Sequence, residues 1–182
     1  KFDLHIFYDL MDNALRVTFK VINLDQKDIY FSIGGHPAFN VPFNPGEHYE
    51  DSYLEFETEE PLHEHLLSAE GFFTGETQPV KMDGKNLRLT RHLFDRDALI
   101  FKNMHSRQVT IRSHKHQQSL SVQFPHFHYL GIWAKSGADF VCIEPWLGCA
   151  DTQGQPKELS HKEGIQKLEH GHVFEACYYI TI

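Results

Sequence analysis

Three short segments carry side chains whose type and setting suit proton transfer. The first is FSIGGHPAFNVPF, from Phe31 to Phe43. Gly34 and Gly35 let the backbone turn sharply or approach a ligand closely. Pro37 keeps the residue before it extended, so His36 is held away from helical dihedrals. A histidine held that way suits a general acid or base; a histidine that only caps the loop by hydrogen bonding is the competing reading. The second segment is LGIWAKSGADFVCIEPWLGCAD, from Leu130 to Asp151. Strand alternation puts the Glu144 carboxylate on the same face as Phe140 and Cys142. Burial there raises a carboxyl pKa unless hydrogen bonds hold it down. Pro145 cannot donate to a ladder, so the strand is expected to end, or to lie at an edge, near Glu144. Trp146 offers a flat apolar face of the kind a sugar ring stacks on, and a structural Glu–Arg pair beside a core Trp is the alternative. In the third segment, Leu93 to Asn103, Asp95 and Asp97 share a face if extended, although a solvated turn explains such aspartates equally well.

Eight of the fourteen histidines form four HxH pairs: His63/His65, His114/His116, His126/His128 and His170/His172. On a strand such a pair can grip one metal ion. No pair has the remaining ligands at suitable spacing; after His126/His128 the next acidic residue is Asp139. No metal site and no cofactor are therefore expected. Cys142, Cys149 and Cys177 make an odd number without CxxC spacing. That argues against a disulfide framework and for a reducing, cytoplasmic setting.

The elements that must position these residues are strands. The chain has 182 residues, a formal charge of −8, 41% hydrophobic and 23% charged residues, which is globular and long enough for a core. No basic block points to nucleic acid or an anionic membrane, and no apolar run is long enough to span a bilayer. Apolar and polar residues alternate over Phe2 to Leu10 and Leu15 to Val21, with a turn at Asp12-Asn13, as in a β-hairpin. Alternation recurs at Ile29 to Ile33, Leu54 to Thr58, Leu87 to Thr90, Val109 to Ser113, Leu120 to Phe124 and Phe174 to Ile182. Leu130 to Ala134 and Phe140 to Ile143 are denser, as in strands covered on both faces. Short helical turns are expected near Leu62 to Ser68 and Phe94 to Ala98, and a long loop over Val41 to Asp51. The pattern predicts an all-β antiparallel sandwich or barrel, with residues 1–182 as one domain.

Taken together, FSIGGHPAFNVPF, LFDRDALIFKN, YLGIWAKSGADFVCIEPWLGCAD and EGIQKLEHGHVFEACYYI, in that order, resemble the aldose 1-epimerase (galactose mutarotase-like) family, in its LacX-like branch. The resemblance implies a large β-supersandwich and a reaction that interconverts sugar anomers. It implies His36 and Glu144 as the catalytic pair, and Asp97 as the substrate-binding aspartate with Asp95 as its rival. Asn40, Phe39 and Trp146 are the further candidate sugar contacts. The implied partner is a hexose or related sugar, with no cofactor, no nucleic acid and no membrane; no oligomeric state follows. Family members are longer and supply an Arg and a second His from an N-terminal half. This chain is therefore expected to correspond to a C-terminal portion with exposed sheet edges. A noncatalytic carbohydrate-binding module on the same fold, and a metal-dependent sandwich enzyme using an HxH pair, are the other classes consistent with the residues.

Overall fold

The alternation becomes strand after strand in the computed structural model, which describes residues 1–154 and 157–182. In chain order the strands are β1 (Phe2–Met11), β2 (Ala14–Asn23), β3 (Ile29–Phe31), β4 (Ile33–Gly34), β5 (Ala38–Asn40), β6 (Ser52–Phe56), β7 (His63–Leu67) and β8 (Phe73–Pro79). They continue as β9 (Asn86–Arg88), β10 (Leu99–Lys102), β11 (Gln108–Ser113), β12 (Leu120–Gln123), β13 (Tyr129–Trp133), β14 (Phe140–Leu147), β15 (Gln166–Leu168) and β16 (Val173–Thr181). The larger antiparallel sheet runs β1-β2-β16-β12-β11-β6-β9. The second runs β10-β13-β14-β4, with β5 also paired to β14. Two small ladders, β15-β3 and β7-β8, flank them.

The core lies between the two large sheets, because each strand turns its alternate apolar residues the same way. Val17, Phe19, Leu54, Phe56, Val109 and Ile111 come from the larger sheet. Leu99, Phe101, Leu130, Ile132, Val141 and Ile143 meet them from the second. Phe56 and Phe101 meet edge to face across this layer, with ring centroids 6.0 Å apart. On β14 the core set is Val141, Ile143 and Leu147, which leaves Cys142, Glu144 and Trp146 on the opposite face. The sandwich expected from the strand pattern is thus the architecture observed.

The structure departs from the sequence reading in three places. His63–Leu67 is strand β7, not a helical turn, because Ser68 to Gly71 closes a hairpin onto β8. Gly71 takes the left-handed backbone, φ 81°, that such a turn requires. Phe94 to Ala98 runs from the end of a turn through bends at Asp95 to Asp97, without helix. Short 3₁₀ turns lie instead at Tyr49–Asp51, which ends the long loop, and at Leu159–His161. Finally, β14 runs through Pro145 to Leu147. No helix among the described residues is long and apolar enough to cross a membrane.

Strand β1 is an edge strand, and its apolar residues are open to solvent: Tyr8 is 68% and Leu10 87% exposed. Core and edge should therefore answer differently to mutation. Leu130→Ala should cost about 2–5 kcal/mol of unfolding free energy. Leu10→Ser should change it by no more than about 0.5 kcal/mol. Urea denaturation of both variants checks this; similar losses at the two positions would contradict the burial pattern.

Candidate active site

One register between two segments far apart in the chain builds the site. Strand β14 pairs with β13 along one side. Along its other side it meets β4 and β5, with Trp146 opposite Gly34 and Cys142 opposite Ala38. Both pairings belong to the same continuous register, so the three residues between them face one another in order: Gly35 opposite Pro145, His36 opposite Glu144, Pro37 opposite Ile143. Gly35 N–H donates to the Pro145 carbonyl (3.0 Å), and Ile143 N–H donates to the Pro37 carbonyl (3.3 Å).

The two prolines explain why the ladder is interrupted here. In an antiparallel pair, residues that exchange two hydrogen bonds alternate with residues that exchange none. Gly35/Pro145 and Pro37/Ile143 are the exchanging pairs, and each has lost one bond because proline lacks the N–H. Since both backbone groups of a strand residue point the same way, the missing Pro145 donor falls inside this interruption. The strand passes through the proline for that reason. His36 and Glu144 are the intervening, non-exchanging pair, whose side chains approach most closely on a shared face.

That approach is direct. His36 Nδ1 lies 3.1 Å from Glu144 Oε1, with the imidazole side chain 64% exposed and the carboxylate only 9%. Burial pushes the Glu144 carboxyl up to about 7, and the Trp146 indole pulls weakly the other way. The Cys142 thiol, one step along the same face, is pushed up to about 11 by burial and then by Glu144. The raised carboxyl and the imidazole are thus in direct contact at the wall of one face.

Trp146 owes its position to glycines. A Cβ on Gly34 would sit 2.5 Å from the indole Cδ1, and one on Gly131 would sit 2.5 Å from its Cη2 and Cζ2. The ring lies flat across both backbones, and no other residue leaves it that space. Gly35 serves another close approach, to the Tyr178 ring in the core. Neither Gly34 nor Gly35 has positive φ. The glycine pair thus makes room for two rings rather than a left-handed turn.

These residues line a cleft of about 660 Å³, within the size range of small-molecule sites. His36, Asp97, Trp133, Glu144 and Trp146 all contribute to its walls, and Leu67 on β7 closes one side. Asp97 accepts a bond from its neighbour's backbone, Ala98 N–H to Oδ1, 2.7 Å. Asp95 is outside the lining, engaged with His92 at 2.9 Å. Two expected contacts are elsewhere. Phe39 sits opposite Val141 and packs against the core, so its ring faces away from Glu144. Asn40 is opposite Phe140 and lines a separate depression with Pro42 and Arg91. Trp133 was not among the residues singled out from sequence. It faces Cys142 across the β13–β14 pair and meets the His36 ring at 6.4 Å. Alternation along β13, counted from Gly131 opposite Glu144, would have placed it on this face.

None of the HxH pairs joins a set of three potential metal ligands among the described residues. His126 Nδ1 instead accepts the Cys177 backbone N–H at 3.1 Å, and His116 faces Glu47 at 3.3 Å. All three cysteines are free.

Burial of Glu144 has a thermodynamic signature. Its folded pKa lies above the unfolded value of about 4.5, so the folded chain holds more protons between those two values. Stability therefore falls as pH rises from about 4.5 to about 7, by roughly 3 kcal/mol in total. Glu144→Gln removes this dependence. Urea unfolding at pH 5 and pH 8 should show the variant gaining on the parent as pH rises; a gap that is constant or shrinks would contradict the burial.

Comparison with known proteins concerns the chain as a whole. Residues 1–165 match the sequence profile of aldose 1-epimerase. The chain is 34% identical to the chromosomal LacX protein of Lactococcus lactis subsp. lactis, covering all of this chain and 62% of that protein. Among solved structures it is similar to a galactose mutarotase related enzyme from Lactobacillus acidophilus, with TM-score 0.88 and 30% identity over 99% of this chain and 61% of that one. It is similar also to a galactose mutarotase-like protein from Lactobacillus casei ATCC 334, with TM-score 0.88 and 29% identity over 99% of this chain and 63% of that one. The chain thus spans about 62% of the length of the curated relatives it matches.

Proposed function

The chain belongs to the aldose 1-epimerase family, and from that premise we propose that it carries the proton-transfer pair of an enzyme that interconverts the α and β anomers of a hexose or related sugar. The observation that carries this reading is the 3.1 Å contact between a buried carboxylate and an exposed imidazole at the wall of a tryptophan-lined cleft.

Ring opening requires a proton removed from the anomeric hydroxyl and one delivered to the ring oxygen. Glu144, with its carboxyl held at about 7, is a stronger base than an ordinary carboxylate while still ionising near neutral pH. One of its oxygens is engaged by His36 Nδ1, and the other is the base that takes the hydroxyl proton. Imidazolium His36 gives its Nε2 proton to the ring oxygen. Contact with the ionised carboxylate stabilises that imidazolium until it is needed. The bond between the first two carbons of the open aldehyde rotates, and closure on the other face inverts the centre with both groups acting in reverse. The net proton balance is zero, so the cycle leaves the pair ready for another turn. Trp146, with Trp133 beside it, is the apolar face for the sugar ring, and Asp97 accepts its hydroxyls to set the orientation. The substrate, and the contribution of segments present in the longer relatives, belong to the same proposal.

Anomer exchange of freshly dissolved α-D-galactose and α-D-glucose, followed by NMR, tests it. Glu144→Gln and His36→Ala should each slow exchange by about 10²- to 10⁴-fold. In the parent chain the rate should fall as pH drops below about 7, as Glu144 takes up its proton. Equal exchange in Glu144→Gln and the parent would overturn the assignment. Saturable sugar binding without faster exchange would make the cleft a binding module instead.

A further inference from the structure

The face that carries the acid–base pair carries a third donor that the anomer reaction does not use. Cys142 is two residues before Glu144 on β14, so its Sγ projects from the same face. Donor atoms of His36, Cys142 and Glu144 all lie within 4.8 Å of one another. One imidazole nitrogen, one thiolate and one carboxylate oxygen form a ligand set that zinc accepts.

The dimensions fit with little movement. Zinc–nitrogen and zinc–oxygen bonds of about 2.0–2.1 Å at a tetrahedral angle put those two donors about 3.3 Å apart. His36 Nδ1 and Glu144 Oε1 are already 3.1 Å apart. A zinc–sulfur bond of about 2.3 Å puts the sulfur about 3.6 Å from the other donors, so separations within 4.8 Å close by at most about 1.2 Å. The His36 ring, 64% exposed, is free to make that adjustment. His36 and Glu144 also line the cleft, the side from which water completes the coordination in an open zinc centre.

We propose that His36 Nδ1, Cys142 Sγ and a Glu144 oxygen form a binding site for a zinc-like divalent cation, which occupies the donor atoms of the pair and silences its acid–base chemistry. On binding, the thiol proton and any proton on the other two donor atoms leave to solvent, and three donor–metal bonds form. No oxidation or reduction is involved. The silencing half rests on the proposed function above; the binding half does not.

Cobalt(II) and zinc, titrated separately into the 182-residue chain, test both halves. Cobalt absorption should saturate at one ion per chain with a near-ultraviolet thiolate-to-metal band. Cys142→Ser should abolish that band. His36→Ala, at an exposed side chain, should weaken zinc binding by about tenfold or more in calorimetry. Cys177→Ser should leave both unchanged; it controls for the other cysteine–histidine contact, Cys177 Sγ to His126 Nδ1 at 3.6 Å. Absence of saturable binding, or a band that survives Cys142→Ser, would overturn the site. Stoichiometric zinc that leaves sugar exchange at its metal-free rate would overturn the silencing, and with it the catalytic role of the pair, while the metal site stood.

Discussion

The site depends on one cross-strand register, the one that sets residues 33–40 against residues 140–147. It is held by β4 and β5 at its two ends and interrupted by two prolines in the middle. The interruption is not a defect in the sheet. Each proline removes one ladder bond on either side of His36 and Glu144, and the bonds that remain, Gly35 to Pro145 and Ile143 to Pro37, keep the two chains in step. A slip of one residue would turn Glu144 toward the core and Ile143 toward solvent. The core contacts of Val141, Ile143 and Leu147 oppose that slip, so the hydrophobic packing of one sheet face fixes the chemistry of the other.

From this constraint the electrostatics follow. Glu144 is buried because it lies on a central strand with β13 on one flank, and because Trp146 spreads over Gly34 and Gly131 beside it. Loss of water raises its pKa, and the exposed imidazole opposite offers the nearest site for a proton. The same crowding gives the cleft its aromatic wall. Small residues at 34 and 131 are thus as necessary to the geometry as the charged ones. Cys142 shares the face by the same alternation, which is why its sulfur lies within 4.8 Å of donor atoms of His36 and Glu144.

Much of this was legible in the chain. Period-two alternation gave the strands and the sandwich, and it set Glu144 on a face with Cys142, away from Val141 and Ile143. What local pattern could not reveal is that His36 is Glu144's cross-strand partner, because register is a tertiary property of distant segments. The same blindness explains the misplaced residues. Phe39 is three residues from His36, yet alternation in β5 turns it to the core. Pro145 read as a strand end because its missing donor was counted without knowing which neighbour it faced. Asp95 and Asp97 were equivalent by spacing, and only the packing of the bends before β10 separates them: one points to His92, the other lines the cleft. The helical turn expected near Leu62 to Ser68 is instead paired as a hairpin by the Gly71 turn.

The central claim is that the register buries the Glu144 carboxyl against His36 and so raises its pKa. NMR of the chain labelled with carbon-13 at glutamate carboxyls, followed across pH, measures it directly. The account predicts that the Glu144 carboxyl carbon inflects near about 7. A Glu144 carboxyl that titrates in the ordinary carboxylate range would contradict the account.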